Sequence, residues 1–225
     1  MTALKAAVIP VTPFQQNCTL LWDEASGRGA VVDPGGDLPR ILQAIDQQGV
    51  KVEKILLTHG HIDHAGGAAE LKERLEQRLR EAGEPAAPIP IEGPDQRDLF
   101  LLQGLARQGQ GFGMTDARNV APDRWLEEGD EATVGEHAFG VLHCPGHTPG
   151  HLVFVSRSAP FALVGDVLFR GSIGRTDFPY GDHQALLRAI ADKLLPLGDD
   201  VQFLCGHGPG STIGAERRTN PFLRG

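Results

Sequence analysis

The sequence predicts an α/β protein built as a four-layer αββα sandwich, in which two mixed β-sheets pack face to face and helices cover their outer sides. The same order of strands, helix, strand and helix occurs in each half of the 225-residue chain. Two similar β-plus-α halves bury their apolar sheet faces best against each other. With 40% hydrophobic and 22% charged residues, the composition is that of a globular protein. We expect a single domain over residues 1–225.

The first half contains short β-rich segments followed by alternating helix and strand. Strands are expected over residues 6–11, 18–23, 29–33 and 52–57. Apolar residues recur at helical spacing from Leu38 to Ile45, and Gly49 ends that helix. A second helix starts near Gly67 and is expected to end at the prolines Pro85, Pro88 and Pro90.

The second half repeats the pattern after a less regular stretch. Residues 99–105 predict one helix, and the glycine-rich residues 108–113 predict a mobile connection. Strands are expected over residues 132–142, 151–156, 160–164 and 201–204. Asp182 is a suitable N-cap for the helix that follows it, and residues 212–218 predict a last helical turn or two.

Charge and patterning exclude several classes of partner. A formal net charge of −8 argues against a nucleic-acid-binding surface, which needs clustered Lys and Arg. The sequence has no apolar run near the roughly 20 residues that cross a bilayer, and its first residues make a poor signal peptide. Three cysteines make a disulfide framework improbable. The sequence therefore predicts a cytoplasmic protein without a membrane or nucleic-acid partner.

Three imidazoles and a carboxylate occur within six residues directly after an expected buried strand. They are His59, His61, Asp63 and His64. On an extended backbone alternate residues point the same way, so His59 and His61 can bind one ion together. Imidazole nitrogen and carboxylate oxygen suit zinc, iron or manganese. The alternative is a polar turn with local hydrogen bonds only, which four such residues in one turn make improbable.

Three further metal-ligand candidates stand beside glycines in later loops or at strand ends. They are His147, Asp166 and His207. Taken singly, each has an ordinary explanation as a core histidine, a turn aspartate or a helix cap. Taken together with the six-residue cluster, they supply enough ligands for two adjacent metal ions, and Asp166 could bridge them.

These motifs make the sequence resemble the metallo-β-lactamase-fold superfamily. The residues that carry the resemblance are Asp33-Pro34-Gly35, His59-Gly60-His61-Ile62-Asp63-His64, Pro145-Gly146-His147-Thr148-Pro149-Gly150-His151, Gly165-Asp166 and Gly206-His207-Gly208. The resemblance implies one metal on His59, His61 and His147 and another on Asp63, His64 and His207. Asp166 and a water would lie between the metals, and Asp33 would hold the metal loop. The cofactors would be two divalent ions, zinc being the first choice and iron or manganese the alternatives.

Within that superfamily the local sequence is most similar to that of the glyoxalase II group. The strings concerned are Thr58-His59-Gly60-His61, His143-Cys144-Pro145-Gly146-His147-Thr148-Pro149-Gly150, Gly174-Arg175-Thr176-Asp177-Phe178 and Asn220-Pro221-Phe222-Leu223. The resemblance implies hydrolysis of the small-molecule thioester S-D-lactoylglutathione, or a related acylglutathione, to D-lactate and glutathione. A metal-bridging hydroxide would attack, with Asp63 and Asp166 as catalytic carboxylates. Longer members carry a C-terminal helical domain that helps to hold glutathione, and we expect none here because the sequence ends 18 residues after His207.

Binding of the two carboxylates of glutathione would need positively charged side chains near the pocket. Arg175, Arg217 and Arg218 are the candidates, because arginine binds carboxylates through paired hydrogen bonds. A structural salt bridge is an equal alternative for Arg175, and a solvated face is the alternative for the terminal pair. Phe112 and Met114 are expected in ordinary core packing rather than at the entrance.

Two other activities remain open on sequence grounds. Persulfide dioxygenases share the fold and a very similar Gly-Arg-Thr-Asp-Phe string, and they use a single iron held by a subset of the same ligands. A lactonase is also compatible with the ligand set. A nuclease is disfavoured by the net charge of −8.

Overall fold

The secondary structure alternates between strands and helices in both halves of the chain. The computed structural model describes residues 2–83 and 88–224. The strands are β1 (Leu4–Val11), β2 (Gln16–Asp23), β3 (Arg28–Val32), β4 (Lys51–Leu56), β5 (Ile91–Glu92), β6 (Glu131–Val134), β7 (His137–His143), β8 (Leu152–Ser156), β9 (Phe161–Gly165), β10 (Leu168–Phe169), β11 (Ser172–Ile173), β12 (Gln202–Cys205) and β13 (Ser211–Thr212). The α-helices are α1 (Leu38–Gln48), α2 (Ile62–Ala65), α3 (Ala68–Glu81), α4 (Leu99–Leu102), α5 (Leu105–Phe112), α6 (His183–Ala189) and α7 (Ile213–Thr219).

Two mixed sheets form the centre of the molecule. One has the strand order β1-β2-β3-β4-β5, with β3, β4 and β5 parallel to one another and the rest antiparallel. The other has the order β13-β12-β9-β8-β7-β6, in which only β9 and β12 are a parallel pair. Strands β10 and β11 make a separate small hairpin.

Three apolar clusters separate the four layers. One lies between the first sheet and helices α1 and α3, and it buries Leu38, Ile41, Leu42 and Ile45, the apolar residues predicted for α1. A second lies between the other sheet and α6 and α7. The third joins residues of both sheets and includes Phe139 and Phe154, both fully buried. This arrangement confirms the predicted αββα sandwich.

The candidate ligands follow strands whose carboxyl ends meet in the crevice between the sheets. Parallel neighbours β3 and β4 place Asp33 and the cluster that begins at His59 side by side. Parallel neighbours β9 and β12 do the same for Asp166 and His207. Parallel strands end at the same edge of a sheet, so ligands distant in sequence come together there.

The glycine-rich residues 108–113 are helical, so the prediction of a mobile connection there is wrong. Residues 108–112 belong to α5, and Gly113 ends that helix in a left-handed conformation. The single helix expected over residues 99–105 is instead two short helices, α4 and α5. Gly109 is buried, and a Cβ on it would stand 2.4 Å from the carbonyl oxygen of Met114. This glycine therefore permits close packing, which the sequence pattern does not distinguish from flexibility.

One predicted strand needs correction, and part of one helix prediction falls outside the described residues. The segment 132–142 is a hairpin of β6 and β7 rather than one strand, because Gly135 adopts a positive φ of 55° in a turn. Helix α3 ends at Glu81, and Pro85 lies outside the described residues. Within the described ranges, none of the helices has both the length and the apolar character needed to cross a membrane.

Candidate metal centre

The six-residue cluster begins where β4 ends and is fixed there by Asp33. The Oδ1 of Asp33 accepts the backbone N–H of Thr58 at 2.8 Å, and its Oδ2 accepts the Thr58 hydroxyl at 2.7 Å. His61 keeps an extended backbone at ψ 152°, and the next four residues form helix α2. Asp63 and His64 therefore project from a helical turn rather than from the extended loop that the sequence suggested.

Three histidine nitrogens converge on one point. The Nδ1 of His61 lies 3.1 Å from Nε2 of His59 and 3.0 Å from Nε2 of His147. All three ligand atoms lie within 4.8 Å of one another. His59 and His147 are buried. We call His59, His61 and His147 the three-histidine group.

A second group lies beside the first and consists of Asp63, His64 and His207. Its ligand atoms also lie within 4.8 Å of one another, and the Oδ2 of Asp63 is 3.2 Å from Nε2 of His207. Asp166 reaches both groups, because its Oδ2 is 3.4 Å from Nε2 of His147 and 3.5 Å from Nε2 of His207. The structure thus brings all seven predicted metal ligands together.

Hydrogen bonds on the outer nitrogens fix which ring nitrogen faces the centre. His64 Nδ1 lies 2.9 Å from Oδ2 of Asp33, and His147 Nδ1 lies 2.8 Å from the carbonyl oxygen of Arg175. The Thr58 hydroxyl donates to Asp33 and so accepts from Nδ1 of His59 at 3.0 Å. Since each outer partner is an acceptor, each outer nitrogen carries a proton, and in the neutral ring Nε2 is left with a lone pair that faces the centre.

Two buried polar atoms at the centre have no hydrogen-bond partner, Nε2 of His64 and Oδ1 of Asp166. They stand 3.4 Å apart. Buried polar groups are almost always satisfied, so a lone pair and a carboxylate oxygen left facing each other fit a bound cation. The donor set of imidazole and carboxylate is the one that zinc, iron and manganese accept.

The electrostatics of the site also favour positive charge at the centre. Burial holds the pKa of His59 well below its usual range and lowers that of His61 to about 3, so both rings are neutral ligands at pH 7. Burial would lower the pKa of His64 too, but the carboxylates of Asp166, Asp63 and Asp33 raise it well above its ordinary value. Burial alone would raise the pKa of Asp166, but the neighbouring His64 holds it far below its usual range. In the metal-free site the carboxylates thus favour a proton on His64, and a bound cation would supply the same positive charge in its place.

Asp98 holds the two metal loops together, and sequence reasoning missed it. Its side chain is fully buried in the turn before α4. The Oδ2 atom accepts the N–H of Gly60 at 2.9 Å and the hydroxyl of Thr148 at 2.8 Å, and Oδ1 accepts the N–H of Gly150 at 2.6 Å. One carboxylate thus ties the loop of His59 and His61 to the loop of His147. A lone aspartate in an irregular stretch carries no sequence signal for this role.

Two further side chains support the ligands from outside the centre. His151 is buried, and its Nε2 accepts the backbone N–H of Asp166 at 2.9 Å. Tyr180 places its hydroxyl oxygen 2.9 Å from Nε2 of His61, and sequence reasoning missed it. Tyr180 is the only tyrosine of the chain. Both residues touch the ligands rather than the centre, but His151 lies within one of the sequence motifs, whereas Tyr180 carries no such signal.

Gly206 allows the closest backbone approach to the centre. A Cβ at this position would stand 2.0 Å from Oδ1 of Asp166 and 2.6 Å from Cε1 of His64. A glycine beside a ligand was expected from the sequence, and here any larger residue would displace two ligand side chains.

A cavity of about 430 Å³ opens onto both ligand groups. One of the three candidate arginines lines it, and the other two do not. Arg175 lines it, with its guanidinium on the carboxylate of Asp177 at 2.7 Å and over the ring of Phe178 at 4.3 Å. Arg217 and Arg218 do not line it, because α7 directs both toward Asp199. The terminal pair therefore lies away from this cavity.

The expectation for Phe112 was wrong and that for Met114 was right. Phe112 lines the cavity and is 53% exposed, whereas Met114 packs against the core cluster beside α1 and α3. Phe112 is the last residue of α5, and Met114 follows the residue that ends this helix. Cys144 and Cys205 are free, buried thiols, as expected, and burial raises their pKa values to about 12 and about 11.

Comparisons with known proteins found relatives in sequence and in fold. The sequence model of the metallo-beta-lactamase superfamily matches residues 11–207. Hydroxyacylglutathione hydrolase GloC of Haemophilus influenzae is 44% identical over 96% of each chain, and probable metallo-hydrolase YqgX of Bacillus subtilis is 34% identical over 96% of each chain. Among solved structures, TTHA1623 in a di-iron-bound form is 36% identical over 96% of this chain and 100% of its own, with a TM-score of 0.82. The BLEG-1 B3 metallo-beta-lactamase is 32% identical over 98% and 100%, with a TM-score of 0.83.

Proposed function

Because the chain belongs to the metallo-β-lactamase superfamily, we propose that it is a hydrolase of S-acylglutathione thioesters, with S-D-lactoylglutathione as the reference substrate. The observation that carries the proposal is the pair of adjacent ligand groups with Asp166 reaching both. The 44% identity to a hydroxyacylglutathione hydrolase supports the same reaction class.

We assign the seven side chains as ligands of two divalent cations, zinc in the first instance, with iron and manganese suited to the same donors. The three-histidine group would hold one cation, and Asp63, His64 and His207 would hold the other. Asp166 would be shared between them. Such cations, when bound, acidify water and polarise a carbonyl oxygen, which is the chemistry that hydrolysis of a thioester needs.

The protein's own contribution is to hold the reacting groups and the proton. Asp63 is partly buried and lines the cavity. Burial alone would raise its pKa, but the neighbouring His64 lowers it. The carboxylate of Asp63 therefore stays ionised and can accept a proton from water. Oxygen from water adds to the thioester carbonyl carbon, the carbon–sulfur bond breaks, and the sulfur leaves as a thiolate that takes up a proton. The products are the carboxylate of the acyl group and glutathione. A thiolate is a good leaving group, so no strong general acid is required at the sulfur.

The test is metal analysis of the purified protein combined with hydrolysis of S-D-lactoylglutathione. We expect two metal ions per chain and hydrolysis that a chelator abolishes and added metal restores. His207→Ala should reduce the count to one ion and lower kcat, whereas the control His183→Ala, an exposed histidine on α6, should change neither. Fully loaded protein that leaves the thioester intact would refute the proposal.

Two comparison substrates separate the alternative activities. Oxygen consumption with glutathione persulfide by the iron-loaded protein, in place of thioester hydrolysis, would favour a persulfide dioxygenase. A β-lactam is included because BLEG-1, a B3 metallo-beta-lactamase, is 32% identical to this chain. Turnover of the β-lactam above that of the thioester would overturn the proposed substrate class.

A further inference from the structure

The cavity over the metal centre has an aromatic entrance. We define the aromatic mouth as Phe14, Phe112, Phe178 and Tyr180, all of which line this cavity. The rings of Phe14 and Phe112 meet edge to face at 5.4 Å, and those of Phe178 and Tyr180 are stacked at 5.2 Å. The mouth therefore consists of two aromatic pairs rather than scattered side chains.

The first pair stays exposed although it is apolar. Phe14 is 42% and Phe112 is 53% exposed, and they come from the β1–β2 turn and the end of α5. Large apolar side chains grouped beside a cavity mark a surface that a ligand covers. The second pair reaches the centre, since the ring of Phe178 lies 4.9 Å from that of His61 and 5.6 Å from that of His147. The second pair therefore borders the three-histidine group.

The polar part of the cavity is small. Arg175 is the one Lys or Arg among the described residues that line it, and Gln108 is the one amide. Glutathione carries peptide groups and two carboxylates, which lose hydrogen bonds to water if they are placed against phenyl rings. An apolar acyl substituent loses no hydrogen bonds there and is stabilised in proportion to the apolar surface that it buries.

We propose that the aromatic mouth binds the acyl group of the thioester and selects acyl groups with an aromatic or branched apolar substituent over the small lactoyl group. This rests on the proposed thioester hydrolase function. The preferred substrates are S-acylglutathiones whose acyl chain ends in a phenyl or branched alkyl group.

The experiment compares two thioesters that differ by one phenyl ring, S-lactoylglutathione and S-(3-phenyllactoyl)glutathione. Both have the same α-hydroxy carbonyl, so their intrinsic reactivity toward water is matched. With metal-loaded protein we expect kcat/KM to be at least about tenfold higher for the phenyllactoyl thioester, which is what one ring contact of about 1.4 kcal/mol supplies. Phe112→Ala should remove most of this ratio. Phe222→Ala, a change at another exposed phenylalanine that does not line the cavity, should leave the ratio intact.

Binding of thioethers, which cannot be hydrolysed, gives a readout independent of turnover. S-(2-phenylethyl)glutathione should bind about tenfold more tightly than S-ethylglutathione by calorimetry, and Phe112→Ala should remove the difference. A kcat/KM ratio near one in the wild type, or equal losses for both thioesters in Phe112→Ala, would overturn the inference, since the ring would then contact the shared glutathione part. Failure to hydrolyse either thioester would instead refute the proposed function.

Discussion

Replacing Asp98 by alanine should lower the free energy of unfolding of the metal-free protein by roughly 2–6 kcal/mol. The carboxylate is buried and accepts the backbone N–H groups of Gly60 and Gly150. Both N–H groups are themselves buried, and each would lose its partner at a cost of about 1–3 kcal/mol. Urea denaturation of the metal-free protein measures the change.

Asp95→Ala is the matched control for Asp98→Ala. Asp95 is a buried aspartate three residues away, but it caps the turn at Arg97 through one backbone N–H at 2.9 Å. Loss of a cap costs about 0.5–2 kcal/mol. Should Asp98→Ala fail to fold, Thr148→Val removes one donor to Asp98 and should cost about 1 kcal/mol. An Asp98→Ala cost no larger than that of Asp95→Ala would refute the role of Asp98 in tying the two loops together.

Three further predictions concern the same centre. Burial raises the pKa of Asp98 from 3.8 to about 6, so the folded state keeps this proton to a higher pH than the unfolded chain does. The stability of the wild type relative to Asp98→Asn should therefore fall, by up to about 3 kcal/mol, as pH rises from about 4 to 6, measured by urea denaturation at each pH. Tyr180→Phe keeps the stacked ring but removes the partner of His61 Nε2, and it should weaken binding of one metal ion by about 10–100-fold in competition with a chromophoric chelator. Gly206→Ala should prevent stoichiometric metal uptake, because its Cβ would stand 2.0 Å from Oδ1 of Asp166.

Each of these three has a control or an outcome that contradicts it. A difference between wild type and Asp98→Asn that does not change over pH 4 to 6 would exclude a raised pKa at Asp98. Phe100→Leu alters a ring packed on Tyr180 without touching His61, so an equal loss of metal affinity in both variants would mean that ring packing, not the hydroxyl, supports the ligand. Gly111→Ala, where a Cβ meets nothing within 4 Å, controls for glycine replacement in general, and normal metal uptake by Gly206→Ala would contradict the steric argument.

Local pattern was sufficient for most of the secondary structure and for the ligand set. The apolar spacing of α1 and the capping residue Asp182 identify helices without any tertiary information, and Asp182 does accept the N–H of Ala185 at 2.8 Å. Local pattern failed where a glycine is required for close packing rather than for flexibility. In α5, Gly109 sits under the backbone of Met114, and the sequence alone presents this as a glycine-rich connection.

The seven candidate ligands were accessible from sequence because ligand chemistry restricts them to a few residue types and because four of them are adjacent in the chain. What the sequence by itself determined was therefore the fold class, the run of strands and helices, and the identity of the seven candidate ligands. The tertiary structure alone decided which side chains support and surround the ligands: Tyr180 meets His61 across 119 residues, and Asp98 meets Gly150 across 52. It also directed Arg217 to Asp199 and Phe112 into the cavity entrance. The physical reason is that periodicity and residue type report local backbone preference and metal chemistry, whereas contacts between distant segments depend on how the two sheets and their loops pack.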